Sequence, residues 1–200
     1  MERMREILTF WFGKPDDPLG YDESRMDLWF RSGCRDDAIV RARFGADLDR
    51  AGAGELDTWL ETPQGTLALI IVLDQFSRHV HRGTPGAFAR DARAQSIVLE
   101  AVAGGVDREL RPIERAFLYL PLEHAEDREL QRQSVALHER LLANLPPRYR
   151  ERYRSFLEHA RQHRNVVERF GRFPHRNAIL GRESTVEETA FLEQGRSSRG

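Results

Sequence analysis

The stretch TLALIIVLDQFSRHV, residues 66–80, decides the fold of this chain of 200 residues. Its apolar run from Leu67 to Leu73 is unbroken, and Phe76 and Val80 continue the apolar set at the i+3 and i+4 spacing of a helix. A helix that is apolar on every side has to be buried. We therefore predict a central buried helix, around which the other elements pack.

The sequence on both sides of this stretch has the same helical periodicity, interrupted by glycine and proline. No pair of segments carries the residues of a β-hairpin turn. We predict an all-α fold of about nine helices packed as hairpins. No repeat of about 30–45 residues is visible in the sequence. A tetratricopeptide-like superhelical stack is therefore possible only if its repeats have diverged beyond recognition, and we keep it as an open alternative.

Single residues predict several helix ends. Pro112 begins a helix, where its missing N–H costs nothing. The Pro-Gln-Gly sequence at residues 63–65 closes a short helix, and Pro121 ends one helix and opens the next. Ser184, followed three residues later by Glu187, is a capping box that begins the last helix.

The composition limits the classes of partner. The formal net charge is −1, so no overall positive field attracts nucleic acid, which we do not expect as a partner. The apolar runs are far shorter than a membrane span, and the amino end lacks the core of a signal peptide. We expect a cytoplasmic protein without a membrane partner, with one domain over residues 1–193 and a disordered tail at residues 194–200.

The first candidate for chemistry is Asp74, with Arg78 one helical turn later. Both follow the apolar run directly, and an ionised side chain at the end of a buried helix has to be paired or hydrogen-bonded. Two interpretations stay open. Asp74 and Arg78 form a pair that stabilises the core, or they bind a ligand or transfer a proton.

The second candidate is PLEHAED, residues 121–127. If these residues lie in one helix, Glu123 faces the same side as Glu126 and Asp127, with His124 beside them. Acidic residues in the first turn of a helix suit the helix dipole without any catalysis. The alternative is a divalent metal site or a carboxylate–histidine pair for proton transfer.

The third candidate is His163. An apolar stripe at helical spacing runs from Phe156 to Phe170 and includes His163, so this histidine faces inward. It is either a core residue whose hydrogen bonds are satisfied or an acid–base group. His159 and His163 have the spacing of metal ligands but lack the glutamate of the metalloprotease motif, so we predict no metal.

The segment FGRFPHRNAILGR, residues 170–182, is called the donor segment here because it holds many hydrogen-bond donors and no carboxylate. Glycine and proline turn it sharply, and apolar side chains anchor it. Its donors suit a carboxylate or phosphate ligand; alternatively, they cap and pair with neighbouring helices. The donors are Arg172, His175, Arg176, Asn177 and Arg182.

Long stretches of the chain resemble a known family. LALIIVLDQFSRHVHRGTPGAFARDARA, ERAFLYLPLEHAED and RFGRFPHRNAILGRESTVEETAFL look like the bacterial family called domain of unknown function 924. The similarity extends to ILTFWFG and GELDTWLETPQG, so it covers nearly the whole chain. It implies an all-α, tetratricopeptide-like fold, and it supplies no reaction, cofactor or catalytic residue. The chain departs from the family pattern at Ser77-Arg78-His79, where a Pro-Arg-Asn-like run is expected.

Two functional hypotheses follow, and the sequence decides neither whether the protein is an enzyme nor its oligomeric state. In the first, a pocket binds an anionic small molecule and supports acid–base chemistry of hydrolase or transferase type without a cofactor. In the second, a helical scaffold binds an acidic peptide, and the Arg, His and Glu cluster is purely structural. The catalytic candidates are His163, Glu123 and Asp74, and the ligand-binding candidates are Arg78, His124, Glu126, Arg172, His175, Arg176 and Asn177.

Overall fold

Helices make up all of the regular structure in residues 1–14, 16–30 and 34–197, the part of the chain that this computed structural model describes. Ten α-helices occur there, and a π-helical segment joins two of them into one continuous helix, so that nine separate helices remain. The prediction of an all-α fold with about nine helices is confirmed. None of these helices combines the length and the apolarity that crossing a bilayer requires.

The α-helices are α1 (Glu2–Phe12), α2 (Met26–Phe30), α3 (Cys34–Gly52), α4 (Pro63–Ile70), α5 (Ser77–Val80), α6 (Asp91–Ala103), α7 (Pro112–Glu123), α8 (Arg128–Asn144), α9 (Pro147–Phe170) and α10 (Val186–Ser197). The π-helical segment (Ile71–Phe76) joins α4 to α5. Short 3-10 turns lie at Glu23–Arg25, Asp57–Glu61, Pro85–Ala87, Val106–Glu109 and Pro174–Arg176. Residues 198–200 of the predicted tail lie outside the described residues.

The continuous helix of residues 63–80 is the core of the fold, as its apolar sequence predicts. Every side chain from Leu67 to Leu73 is fully buried, and α1, α3, α6 and α7 pack around the helix. Burying one such aliphatic side chain stabilises the folded state by about 1.5–3 kcal/mol. Because Asp74 follows directly, the apolar run carries its carboxylate into the interior as well.

The helices α7, α8 and α9 pack on one another in chain order, as predicted for helical hairpins. The α9 helix begins at Pro147 and ends at Phe170, and it is capped by Gly171. Gly171 adopts the left-handed conformation typical of a glycine cap, with a φ of 72°. The finer expectation of a tetratricopeptide-like superhelical stack stays a prediction.

The helix end predicted at Pro121 is wrong. Pro121 lies inside α7, which continues to Glu123, and nearly all of the α7 side chains are buried. Their packing outweighs the one backbone hydrogen bond that a proline removes. The next helix begins only at Arg128, where the Asp127 carboxylate accepts a hydrogen bond of 2.9 Å from the Leu130 N–H. Glu123 and Glu126 therefore do not share a helix face.

The predicted capping box is also displaced by one residue. Thr185 Oγ1 accepts a hydrogen bond of 3.2 Å from the Glu188 N–H, and Glu188 Oε2 accepts one of 2.8 Å from the Thr185 N–H. Ser184 instead accepts a hydrogen bond from the Asn177 side chain. Both pairs of residues fit the capping motif, and the tertiary contact of Ser184 selects the second pair.

The Pro-Gln-Gly sequence begins a helix instead of closing one. Pro63 is the first residue of α4, and Thr62 Oγ1 caps this helix by accepting a hydrogen bond of 3.1 Å from the Gly65 N–H. A Cβ atom on Gly65 would collide with the backbone oxygen of Trp59. Glycine is therefore required where the preceding 3-10 turn approaches the central helix.

We expect Gly65→Ala to lower the melting temperature, because the added methyl group would push the Trp59 backbone away from α4. Overpacking costs about 1–3 kcal/mol, which corresponds to roughly 2–12 °C for a domain of this size. Gly45→Ala is the matched control, since a Cβ atom there would meet nothing within 4 Å and alanine favours a helix interior by about 0.5–1 kcal/mol. Thermal denaturation followed by circular dichroism measures both, and equal melting temperatures would contradict the close approach.

Candidate functional site

Asp74 lies in the π-helical segment and is fully buried. Its carboxylate accepts hydrogen bonds from Gln75 Nε2 at 2.6 Å and from His124 Nδ1 at 2.9 Å. Arg78 Nη1 lies 2.7 Å from the same carboxylate, so Asp74 and Arg78 form an ion pair, whereas a role for them in ligand binding or proton transfer stays a prediction. Burial alone would raise the pKa of Asp74, but the charges of Arg78 and His124 and these hydrogen bonds hold it at about 2. Asp74 is therefore ionised at neutral pH. π-Helical turns are rare in proteins, and those that occur are often found at functional sites.

Asp91, at the start of α6, is shared by two arginines. Arg78 Nη1 and Nη2 each donate a hydrogen bond of 3.1 Å to one oxygen of this carboxylate. Arg176 Nη1 lies 3.6 Å from Asp91 Oδ2. Burial raises the pKa of Asp91, and the charge of Arg78 offsets this only in part. Asp91 could not be recognised from the sequence as a member of this network, because acidic residues are common in the first turn of any helix.

Arg176, from the donor segment, is held by aromatic rings as well as by charge. Its guanidinium is stacked between Phe88 and Phe173, 4.5 Å from each ring centroid. Its Nη2 donates a hydrogen bond of 2.9 Å to the carbonyl oxygen of His124. Burial, followed by the charge of Arg78, lowers the pKa of Arg176 to about 10, so this side chain stays charged at neutral pH. Arg176 therefore fastens the donor segment to the end of α7.

Glu123, the last residue of α7, is buried and pairs with His163 of α9. Glu123 Oε1 lies 3.0 Å from His163 Nδ1, which is also 2.9 Å from the carbonyl oxygen of His159. Because both partners are acceptors, Nδ1 carries the proton. Burial raises the pKa of Glu123, but the hydrogen bond and charge of His163 lower it overall. For His163, burial lowers the pKa, and Glu123 outweighs this effect and raises it.

His124 and His163 lie side by side and are called the histidine pair below. Their ring centroids are 6.2 Å apart, and each Nδ1 is held by a different buried carboxylate, Asp74 or Glu123. Burial and the charge of Arg78 lower the pKa of His124, whereas the pKa of His163 is raised. The two side chains are 16% and 34% exposed, and their Nε2 atoms make no hydrogen bond with the described residues. One imidazole thus favours the neutral form and the other the charged form.

Three further donors of the donor segment, all except His175, bind acids of the chain itself. Arg172 contacts both oxygens of Glu188, at 2.7 and 2.8 Å. Arg182 contacts both oxygens of Glu126, at 2.5 and 2.8 Å. Asn177 is buried and also donates to Glu188, at 3.3 Å. These guanidinium groups therefore face an internal acidic cluster.

A cavity of about 430 Å³ opens beside His163, between α9, α10 and the donor segment. Its volume lies within the range of about 300–1,000 Å³ typical of small-molecule sites. Another cavity, of about 320 Å³ beside α1, has no histidine or carboxylate in its lining. The cavity beside His163 is therefore the better candidate for chemistry of the two. Its lining residues are Gln162, His163, Val166, Phe173, His175, Phe191 and Leu192.

The model of the family described as "Bacterial protein of unknown function (DUF924)" matches residues 7–196. The chain belongs to this family. The solved structure of the protein of unknown function ATU0120 from Agrobacterium tumefaciens is 37% identical, with a TM-score of 0.81, over 96% of this chain and 98% of that chain. No curated protein matches the chain. The DUF924 fold is therefore shared with a solved structure over nearly its whole length.

The predicted site residues of this DUF924 protein lie in one connected region, but several have partners that the sequence does not predict. His124, predicted to bind a ligand, is bound by Asp74 in the same way as His163 is bound by Glu123. His175 is exposed and lines the cavity. Within residues 1–14, 16–30 and 34–197, no group of three or more His, Cys, Asp or Glu side chains could hold a metal ion. Nothing in the sequence identifies Gln162 as a residue of the cavity. Glu188, by contrast, could have been identified from the sequence as the third helical residue of a capping box that begins at Thr185.

We expect Arg176→Ala to destabilise the fold of the DUF924 protein strongly, because it removes a buried cation from Asp91 and from two aromatic rings. Breaking a buried ion pair costs about 3–5 kcal/mol, or roughly 6–20 °C in melting temperature for this size. The lower end is expected, since Asp91 keeps Arg78. Arg161→Ala is the control: its pair with Glu139 is about half exposed on both sides, at 49% each, and such pairs contribute at most about 1 kcal/mol. Similar melting temperatures for the two variants would refute the anchoring role.

Proposed function

We propose that this DUF924 protein is a small-molecule hydrolase in which His124 acts as general base and His163 as general acid. The supporting observation is the histidine pair, in which two imidazoles 6.2 Å apart are each held by a separate buried carboxylate. Their pKa values are shifted in opposite directions. Environments that separate the pKa values of neighbouring groups assign one as the base and the other as the acid.

His124 has the properties of a resting base. Asp74 accepts the Nδ1 hydrogen bond and so leaves the Nε2 lone pair available for a proton. Burial and Arg78 keep the imidazole neutral by lowering its pKa. Once Nε2 takes a proton, the ionised Asp74 stabilises the imidazolium, as the carboxylate of a catalytic triad does.

His163 has the properties of a resting acid. Its interaction with Glu123 raises its pKa, so the Nε2–H can be donated to an anionic group or to charge that develops in a transition state. This histidine takes the role of anion contact that the sequence assigns to the arginines. Arg172 and Arg176 bind Glu188 and Asp91, respectively.

The proposed reaction is the hydrolysis of an ester. His124 Nε2 removes a proton from water, and the water oxygen bonds to the carbonyl carbon. The bond between that carbon and the alcohol oxygen breaks, and His163 Nε2 gives its proton to the departing oxygen. The products are an acid and an alcohol, and solvent then carries a proton from His124 to His163. With a second alcohol in place of water, the same groups perform a transferase reaction.

We expect hydrolysis of p-nitrophenyl esters to have a bell-shaped pH profile. Activity rises with pH as His124 loses its proton below pH 6.5, and it falls as His163 loses its proton above pH 6.5. Glu123→Gln removes the charge that raises the pKa of His163, so the alkaline limb moves to lower pH. The acid limb moves in the same direction but by less, because Glu123 has only a minor effect on the pKa of His124. His124→Gln and His163→Gln each lower the rate by about 100-fold or more.

His159→Gln is the control for these variants, because His159 is an exposed histidine of the same helix. Nitrogen-15 NMR titration of the imidazoles measures the same pKa values without a substrate. If wild type and all histidine variants hydrolyse the esters equally slowly while their melting temperatures differ, the cluster is structural. The acidic-peptide scaffold then becomes the better hypothesis.

A further inference from the structure

We infer that the cavity between α9 and α10 binds the apolar acyl group of the substrate, so that the ligands are monocarboxylic acids and their esters with an aliphatic chain or aromatic ring. This inference rests on the proposed function, because it places the polar end of the ligand at His163. It adds the substrate class, which the histidine pair alone leaves undefined.

The walls of the cavity have the chemistry of an acyl site. Val166 of α9, Phe191 and Leu192 of α10 and Phe173 of the donor segment supply apolar surface. The polar side chains that line the same cavity are Gln162, His163 and His175. An apolar cavity with a few polar groups suits a ligand that has an apolar body and one polar end.

The charges around the cavity favour a head group with a single charge or none. Arg169 and Arg172, which border α10, bind Glu187 and Glu188, with nitrogen–oxygen distances of 2.7 Å in both pairs. A phosphate dianion is usually held by several donors, often by a bidentate arginine. A carboxylate or an ester carbonyl needs only one or two donors, which the side chains of His163 and His175 can supply.

The outer wall of the cavity is fixed to the rest of the fold by α10 contacts. Phe191 packs on Phe170 of α9, with ring centroids 5.1 Å apart. The buried Glu188 side chain binds Arg172 and caps its own helix. Because α10 is held in this way, Phe191 and Leu192 form a wall of defined shape, which allows the cavity to select among acyl groups.

The test measures binding of sodium hexanoate, benzoate, acetate and inorganic phosphate by isothermal titration calorimetry. Hexanoate and benzoate are expected to bind at least tenfold more tightly than acetate or phosphate, because additional buried methylene or ring carbons strengthen binding. Val166→Trp fills the cavity and is expected to weaken hexanoate binding at least tenfold. Glu158→Trp places the same side chain at an exposed position of the same helix and should leave binding unchanged. Leu192→Trp, on the opposite wall, replaces Val166→Trp if that variant does not fold.

Equal affinities for acetate and hexanoate, tighter binding of phosphate, or unchanged hexanoate binding in a folded Val166→Trp or Leu192→Trp variant would overturn the inference. Hydrolysis of p-nitrophenyl acetate, butyrate and hexanoate separates it from the proposed function. If hexanoate binding is lost in Val166→Trp but wild type hydrolyses none of the esters, the acyl site is supported and the catalytic proposal is wrong. If His163→Gln abolishes hydrolysis that depends neither on acyl length nor on Val166→Trp, the acyl site is wrong and the catalytic proposal is supported.

Discussion

The buried negative charge of Asp74 is the constraint on which the rest of the structure depends. The apolar central helix carries this carboxylate into the interior, where an unpaired ion would cost several kcal/mol. Arg78 and His124 satisfy it. Arg78 also binds Asp91, and Asp91 in turn meets Arg176. This network of paired charges joins the π-helical segment, α6, α7 and the donor segment. The candidate site therefore follows from the need to pair the buried charge of Asp74.

The end of α7 connects this network to the second carboxylate–histidine pair. Glu123 and His124 are adjacent in the sequence, and successive side chains of a helix point about 100° apart. Glu123 therefore reaches His163 of α9, while His124 reaches Asp74 of the central helix. One helix end thus supplies one member of each pair. Burial and then the charge of Arg78 lower the pKa of His124. Burial acts to lower the pKa of His163 as well, but Glu123 outweighs it and raises that pKa.

Much of the fold and some of the site could be predicted from the sequence. The apolar run that ends at Leu73 is too long and too uniform for any position but the core, and Asp74 follows it. The π-helical segment could not be predicted, because the residues around Asp74 are as apolar as those of a regular helix. The helix end predicted at Pro121 is wrong because the burial of the α7 side chains outweighs the tendency of proline to end a helix. Asp91 has no signal because its partners lie on other helices.

The donor segment shows the limit of counting charges along the sequence. Its arginines have no acidic neighbour in the segment, which favours a ligand as their partner when only the sequence is considered. In the structure, however, the partner of Arg182 is Glu126, 56 positions away. Folding supplies the acidic partners from α6, from the turn after α7 and from α10, and the arginines then hold the segment in place. The donor segment contributes Phe173 and His175 to the lining of the cavity, which His163 also lines. The arginines therefore position the segment, and the proposed function assigns the chemistry to the histidines.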